Sequence, residues 1–409
     1  MIAAAVLLAQ YAGTLDFFDT TRVATRATQP PPQLQSPPRE IALALDLSTS
    51  PTARLRMAER RWDWTLSYSP VLTATDVELG ADGSLILLHA GVTTFAWRDR
   101  IVTVTLSEAG AYGTFNAALL YQLPAAPGQT TPLQSAPTAT AVDFASSNTD
   151  GNVALRLGRP VVVSLSGGYS VTGGLGTLAQ KTLSQQFGPR AGASVAVALS
   201  RADSVTTLAS AHDLTTSGLC PGAANLFCRE RTLLFQLQET LRHELSAVRT
   251  LSAGAGVAAT ETTEAANGQE VVVIEPVGTV AFTQRLSANR AANLTLSAQL
   301  TPFVDILTGI PSERAQLSAA VADPVSSSVL LTFTANAMRS VPILTSDPGS
   351  DRYLLTLLSG GIEARIRLDP RLDLGIGVQA FWQDQDNFPP FSSEIGYVSV
   401  TARAPTLHF

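Results

Sequence analysis

Trp62-Asp63-Trp64-Thr65-Leu66-Ser67-Tyr68-Ser69 alternates without a break: Trp62, Trp64, Leu66 and Tyr68 are large and apolar, and Asp63, Thr65, Ser67 and Ser69 are polar. Successive side chains of a β-strand point to opposite faces, so one face of this stretch avoids water and the other seeks it. The same period of two returns at Val102, Val104 and Leu106 against Thr103, Thr105 and Ser107. It returns again at Leu294, Leu296, Ala298 and Leu300 against Asn293, Thr295, Ser297 and Gln299. From Ile41 to Phe409 the unit is about ten alternating residues followed by a turn, which is the pattern of a transmembrane β-barrel.

Composition supports that class. Of 409 residues 15% are charged and 45% hydrophobic, whereas soluble domains average about a quarter charged. No apolar run reaches the roughly 18 residues a spanning helix needs, so a bilayer crossing requires a closed barrel, the one strand arrangement that pairs every backbone group in lipid. A net charge of −6 with no Lys/Arg run excludes nucleic acid as a partner, because phosphate binding needs clustered cations.

Residues 1–10 read as the apolar core of a secretory signal with Ala9 as the cleavage point, although no basic residue precedes them. Residues 11–40, with Pro30, Pro31, Pro32, Pro37 and Pro38, read as a proline-rich periplasmic leader, and 41–409 as the barrel. Alternation places the first strands at 41–48, 52–59 and 62–75 and the last at 371–383 and 393–409, about 18 antiparallel strands in all. An even count puts both termini on one side. Connections alternate between tight turns, such as Glu59-Arg60-Arg61, Arg98-Asp99-Arg100 and Gly158-Arg159-Pro160, and longer loops, notably 113–139, 173–189 and 214–227. Short periplasmic turns and long extracellular loops are what an outer-membrane barrel shows. Between Arg231 and Leu251, Leu234, Leu237, Leu241, Leu245 and Val248 also fit a helical period; on that alternative the barrel has 16 strands and a lumenal helix.

Chemistry-bearing motifs are sparse. Cys220 and Cys228 are the only cysteines and fall in one outer loop, where an oxidising compartment favours a disulfide. His89, His212, His243 and His408 show no metal-ligand spacing, so no metal, cofactor or catalytic residue is assigned. His212-Asp213 at an outward strand end is the one pair a barrel hydrolase could use. Gly174-Leu175-Gly176-Thr177-Leu178-Ala179 matches a dinucleotide fingerprint only formally and reads as a glycine-rich loop.

Charges in a membrane-spanning strand are tolerated on the water-filled side. If Leu55 and Met57 face lipid, parity turns Arg54, Arg56, Asp63, Glu363, Arg365, Arg367 and Asp373 into the lumen, together with the neutral Gln316, Ser318, Thr332, Thr334 and Gln379. Such a wall offers many hydrogen-bond partners and little net field, and suits a bulky polar solute.

Leu407 and the terminal Phe409 resemble the signal by which the barrel assembly machinery recognises outer-membrane barrels; Arg403 and Pro405 depart from it, which predicts a bulge before the end. The chain length, strand count, proline-rich leader and opening double hairpin from Ile41 to Leu72 resemble the 18-stranded Wzp-type barrels of bipartite polysaccharide export systems. That resemblance implies a non-enzymatic outer-membrane channel, embedded in outer-membrane lipid, that passes polysaccharide cargo handed over by a short Wza-like (OPX) periplasmic protein. The alternatives are a diffusion porin narrowed by loop 113–139, an outer-membrane hydrolase built on His212, and a loop-based adhesin.

Overall fold

The computed structural model describes residues 13–29, 42–75, 84–116, 141–158, 160–180, 183–219, 227–263, 270–286, 292–304, 310–343, 355–385 and 388–408. They form one antiparallel sheet closed on itself. In chain order the strands are β1 (Gly13–Gln29), β2 (Ala42–Ala58), β3 (Trp62–Tyr68), β4 (Val71–Thr75), β5 (Ser84–Arg98), β6 (Val102–Asn116), β7 (Ala141–Leu157), β8 (Val161–Gly174), β9 (Gln185–Ala198) and β10 (Asp203–Leu219). They continue as β11 (Phe227–Ser246), β12 (Arg249–Thr263), β13 (Glu270–Arg285), β14 (Asn293–Val304), β15 (Pro311–Pro324), β16 (Val329–Pro342), β17 (Leu355–Asp369), β18 (Leu372–Gln385), β19 (Phe388–Arg403) and β20 (Leu407–His408). β3 and β4 both lie between β2 and β5 and make one stave. β20 resumes β19 along β1, so the barrel has 18 staves.

The count agrees with the alternation, but its first members differ. Gly13–Gln29, expected within the periplasmic leader, is β1; it pairs with β19 from Phe18↔Arg403 to Gln29↔Ser392 and with β2 from Gly13↔Met57 to Thr28↔Ala42, closing the sheet. The predicted strands 41–48 and 52–59 are one strand, so Ile41–Leu72 is a single hairpin rather than two. Two physical facts hid this. Pro51 suggests a break, yet the ladder runs past it opposite Asp19. On the outward face of β1, Asp19, Thr21 and Thr25 interrupt the apolar set; Thr49 donates to Asp19 Oδ1 at 2.9 Å and Thr21 to Asp19 Oδ2 at 3.2 Å, so the carboxylate is satisfied without water. Pro30, Pro31, Pro32, Pro37 and Pro38 fall between β1 and β2 in sequence and lie outside the described residues. Residues 1–10, Phe409, and the loop 117–140 lie outside the described residues.

The 231–251 segment is strand, not helix: β11 pairs with β10 over its whole span to His243. The glycine-rich fingerprint dissolves likewise, since β8 runs through Gly174 and the helix that follows, α1 (Gly176–Gln180), has five residues. The expected bulge is present. Ala404, Pro405 and Thr406 leave the ladder, Ala404 N–H bonds the Phe17 carbonyl, and pairing resumes at Leu15↔Leu407. Leu407 points outward and is exposed.

Alternation sorts the two faces. Outward stand Leu47, Leu66, Leu106, Val153, Leu165, Val195, Leu237, Val257, Ile274, Leu317, Phe333, Ile362, Val378 and Val400, all exposed. Trp62, Trp64 and Trp97 stand on the same face near the short turns, and Tyr68, Tyr112 and Tyr169 toward the other end. Between Val102 and Tyr112 on β6 the rise is roughly 25 Å after tilt, the height of an outer-membrane apolar band. The aromatic polar atoms are satisfied there: Trp64 Nε1 donates to Thr93 Oγ1 at 2.9 Å, and Tyr68 Oη lies 2.6 Å from His89 Nδ1.

The lumen as candidate functional site

Inward positions divide into two walls. The staves around the β19–β1 closure carry charge. Arg26 pairs with Asp46 at 3.2 Å, Arg56 with Asp63 at 2.5 Å, and Arg403 with Asp373 at 2.5 Å, with Arg367 3.9 Å from the same aspartate. Arg22 lies over the Tyr397 ring, 3.8 Å from its centroid, and the Tyr397 hydroxyl donates to Glu363 Oε2 at 2.9 Å. That last bond skips a strand: Tyr397 on β19 crosses Gly377 on β18 to reach Glu363 on β17. A Cβ at residue 377 would sit 2.4 Å from the tyrosine ring, so only glycine permits the crossing.

The adjoining staves, β11 to β16, carry a row of neutral groups at mid-height, between inward Arg242 and Glu244 near the short turns and Glu275 and Arg314 toward the other end. Ser297 and Ser318 hydroxyls bond at 2.5 Å, Gln299 Nε2 donates to Gln316 Oε1 at 3.0 Å, and Gln238 Nε2 to Thr279 Oγ1 at 2.9 Å. The glutamine repeats the tyrosine's device, passing over Gly254 of β12, where a Cβ would meet Gln238 Nε2 at 2.7 Å and Thr279 Oγ1 at 2.8 Å. Thr332 and Thr334 of β16 continue the row opposite Glu363 and Gly361. The twelve predicted lumen residues stand on the inward face, seven charged ones on the first wall with Gln379 beside them on β18, and Gln316, Ser318, Thr332 and Thr334 on the adjoining β15 and β16. Parity missed Arg22, Arg26 and Asp46, because β1 was read as leader, although Arg22, Ala24 and Arg26 keep inward parity beside the outward Val23.

The lumen also differs along its axis. Toward the short-turn end inward side chains are wet, as at Arg54, Thr94, Ser166, Arg242, Thr334 and Arg365. Toward the other end they are covered: Leu357 is 0% exposed, Thr262 1%, Ser393 2% and Ile395 3%. Two described contacts contribute. The β8–β9 connection turns inward, so that Ala179 and the fully buried Leu183 pack against Leu88, Val142 and Phe144. Across the barrel, Gln186 Nε2 on β9 donates to the Val304 carbonyl on β14 at 3.3 Å.

His212 and Asp213 do not form a unit. They lie within β10, not at its end, and point to opposite faces: His212 inward near Ser170 Oγ at 3.5 Å, Asp213 outward in a two-bond pair with Arg231. Cys228 is the second residue of β11, opposite Gly218, rather than a loop residue; Cys220 lies outside the described residues. Among the described residues no three His, Cys, Asp or Glu gather as a metal site.

A family model described as the EpsX exopolysaccharide export family matches residues 14–390. The chain belongs to the EpsX exopolysaccharide export family. The match begins inside β1, so the stave hidden from the alternation lies within the matched region. No curated relative matches the chain by sequence. Among solved structures it is similar to the FrpB iron transporter of Neisseria meningitidis (TM-score 0.51, 8% identity, covering 96% of this chain and 81% of that one). It is also similar to OccK7 (OpdD) of Pseudomonas aeruginosa (TM-score 0.45, 12% identity, 96% and 99%). With its closed barrel, apolar outer face and family membership, the EpsX chain is an integral outer-membrane protein of a polysaccharide export family.

Proposed function

We propose that this EpsX-family barrel is a passive conduit that carries exopolysaccharide across the outer membrane, receiving it from a Wza-like (OPX) protein at its periplasmic mouth. The neutral wall carries the reading. Side-chain hydroxyls and amides from β11 to β16 already bond one another, so each can exchange a neighbour for a sugar hydroxyl at small net cost. A moving polymer needs many weak, replaceable contacts, since a tight site would stop it. Arg54, Arg56, Asp63, Glu363, Arg365, Arg367, Asp373, Gln316, Ser318, Thr332, Thr334 and Gln379 line the path in this reading. No step needs catalysis, and the hydrolase alternative loses its pair because His212 and Asp213 face apart. Leu407 with Phe409 serves assembly, and a Cys220–Cys228 bond would close the β10–β11 hairpin.

The test is extracellular polysaccharide in a strain lacking the protein, complemented with wild type or with Ser318→Trp/Thr332→Trp. Loss on deletion, restored by wild type and not by the narrowed barrel, is expected; unchanged polymer on deletion would sink the conduit. One observation favours a second reading, a porin for small solutes: the inward β8–β9 connection narrows the lumen as a porin loop would. Liposome swelling with mono- and disaccharides separates the two, because a porin passes them and a closed export barrel does not.

A further inference from the structure

Arg314 of β15 points inward in the covered half of the lumen and is 4% exposed. A guanidinium so far from water is normally matched by a carboxylate, because an unpaired buried charge costs several kcal/mol. None is there. Arg314 Nε is buried without a hydrogen-bond partner. Its one described contact is the Phe303 ring, 4.9 Å from its centroid, which supports the planar cation and uses none of its N–H groups. Glu275, on the inward face of β13, makes no ion pair with the arginine and leaves its own Oε2 buried without a partner. Directly across the ladder stands Ser340 of β16, 2% exposed, its hydroxyl likewise unpartnered. Arg314 and Ser340 are a fixed cation and a fixed donor side by side, with no partner among the described residues.

We propose that Arg314 and Ser340 form an anion subsite for a carboxylate-bearing sugar of the exported polymer, with Phe303 as its floor. The carboxylate accepts from the guanidinium edge and from the serine hydroxyl, a charge-assisted pairing stronger than the neutral contacts of the wall below. The subsite lies about three residues, roughly 10 Å, below the Gln186–Val304 tie across the lumen. The polymer's charged group would therefore be read where the passage is tightest. This assignment rests on the conduit reading for the source of the ligand, but its test does not need export to occur.

The test is calorimetric titration of the full-length barrel in detergent with tetragalacturonate, against maltotetraose as the neutral control. Wild type should bind the acidic oligomer and not the neutral one, Arg314→Gln should weaken binding about tenfold, and Arg314→Lys should recover part of it. Ser340→Ala should weaken binding a few-fold and serves as the second variant if Arg314→Gln does not fold, which heat-modifiable gel migration reports. Equal binding of both oligomers by wild type, or unchanged binding in Ser340→Ala and Arg314→Gln, would overturn the subsite. Displacement by equimolar inorganic phosphate would overturn the sugar-carboxylate assignment in favour of a general oxyanion site. Failure here with polymer still lost on deletion leaves the conduit standing, and the converse leaves an anion site in a barrel of another use.

Discussion

The two halves of the lumen are built from the same staves and differ in what covers them. In the periplasmic half Arg54, Arg242 and Arg365 are exposed, and the buried Asp373 is covered by Arg367 and Arg403. In the extracellular half positions of the same parity are packed against other protein: Leu183 and Leu357 at 0% exposure, Thr232 at 1%, Thr260 and Ser340 at 2%. On the conduit reading proposed above, a wet half leading to a covered half puts the resistance to flow at the cell-surface end. Substitutions in the two halves should then separate cleanly.

The largest effect is expected from removing the inward turn. Deleting Leu175–Leu183 takes away the residues that seal Leu88, Val142 and Phe144, and should raise single-channel conductance in planar bilayers severalfold. A conductance equal to wild type would show that the exit is not limiting. Leu183→Ala is the milder form: a fully buried leucine truncated to alanine costs about 2–5 kcal/mol, here spent on loosening the turn, and should appear as frequent opening at the same unit conductance.

Next comes Arg26→Ala on the charged wall. Its partner Asp46 has a side chain 9% exposed, and removal of one member of a covered pair strands the other charge at about 3 kcal/mol. Guanidinium-induced unfolding followed by gel migration should show the loss, and Asp46→Asn added to Arg26→Ala should restore part of it. A double variant no better than the single would mean the pair does not couple. Gly254→Ala on the neutral wall is smaller, on the order of 1 kcal/mol, because the new methyl displaces the flexible Gln238 from Thr279 and leaves the backbone in place.

How much of this was legible follows the physics of each signal. Where one face meets lipid and the other water, as at Trp62–Ser69, a two-residue period suffices to give each side chain its direction. β1 was illegible because its outward face breaks the rule with Asp19, Thr21 and Thr25, whose mutual bonds depend on Thr49 of a neighbouring strand. Glu108 and Glu239 break it too, exposed on the outward face, and nothing in the structure explains them. Coverage of the extracellular half was invisible because parity gives a side chain's direction and says nothing of what lies across the lumen.

The smallest effect belongs to Arg54, and it tests the open half most directly. Arg54 faces the periplasmic lumen, is exposed, and has no ion-pair partner among the described residues, whereas Arg56 beside it is held by Asp63. Replacing an exposed, unpaired charge should change stability by less than about 0.5 kcal/mol. Arg54 is nevertheless a fixed positive charge on a wet wall, which attracts anions within a Debye length, about 10 Å at 0.1 M salt and about 3 Å at 1 M. Arg54→Ala should therefore shift the zero-current potential under a salt gradient toward cation preference at low ionic strength and lose that shift near 1 M. A shift that persists at high salt would place Arg54 in a dry, narrow site and remove the distinction between the two halves.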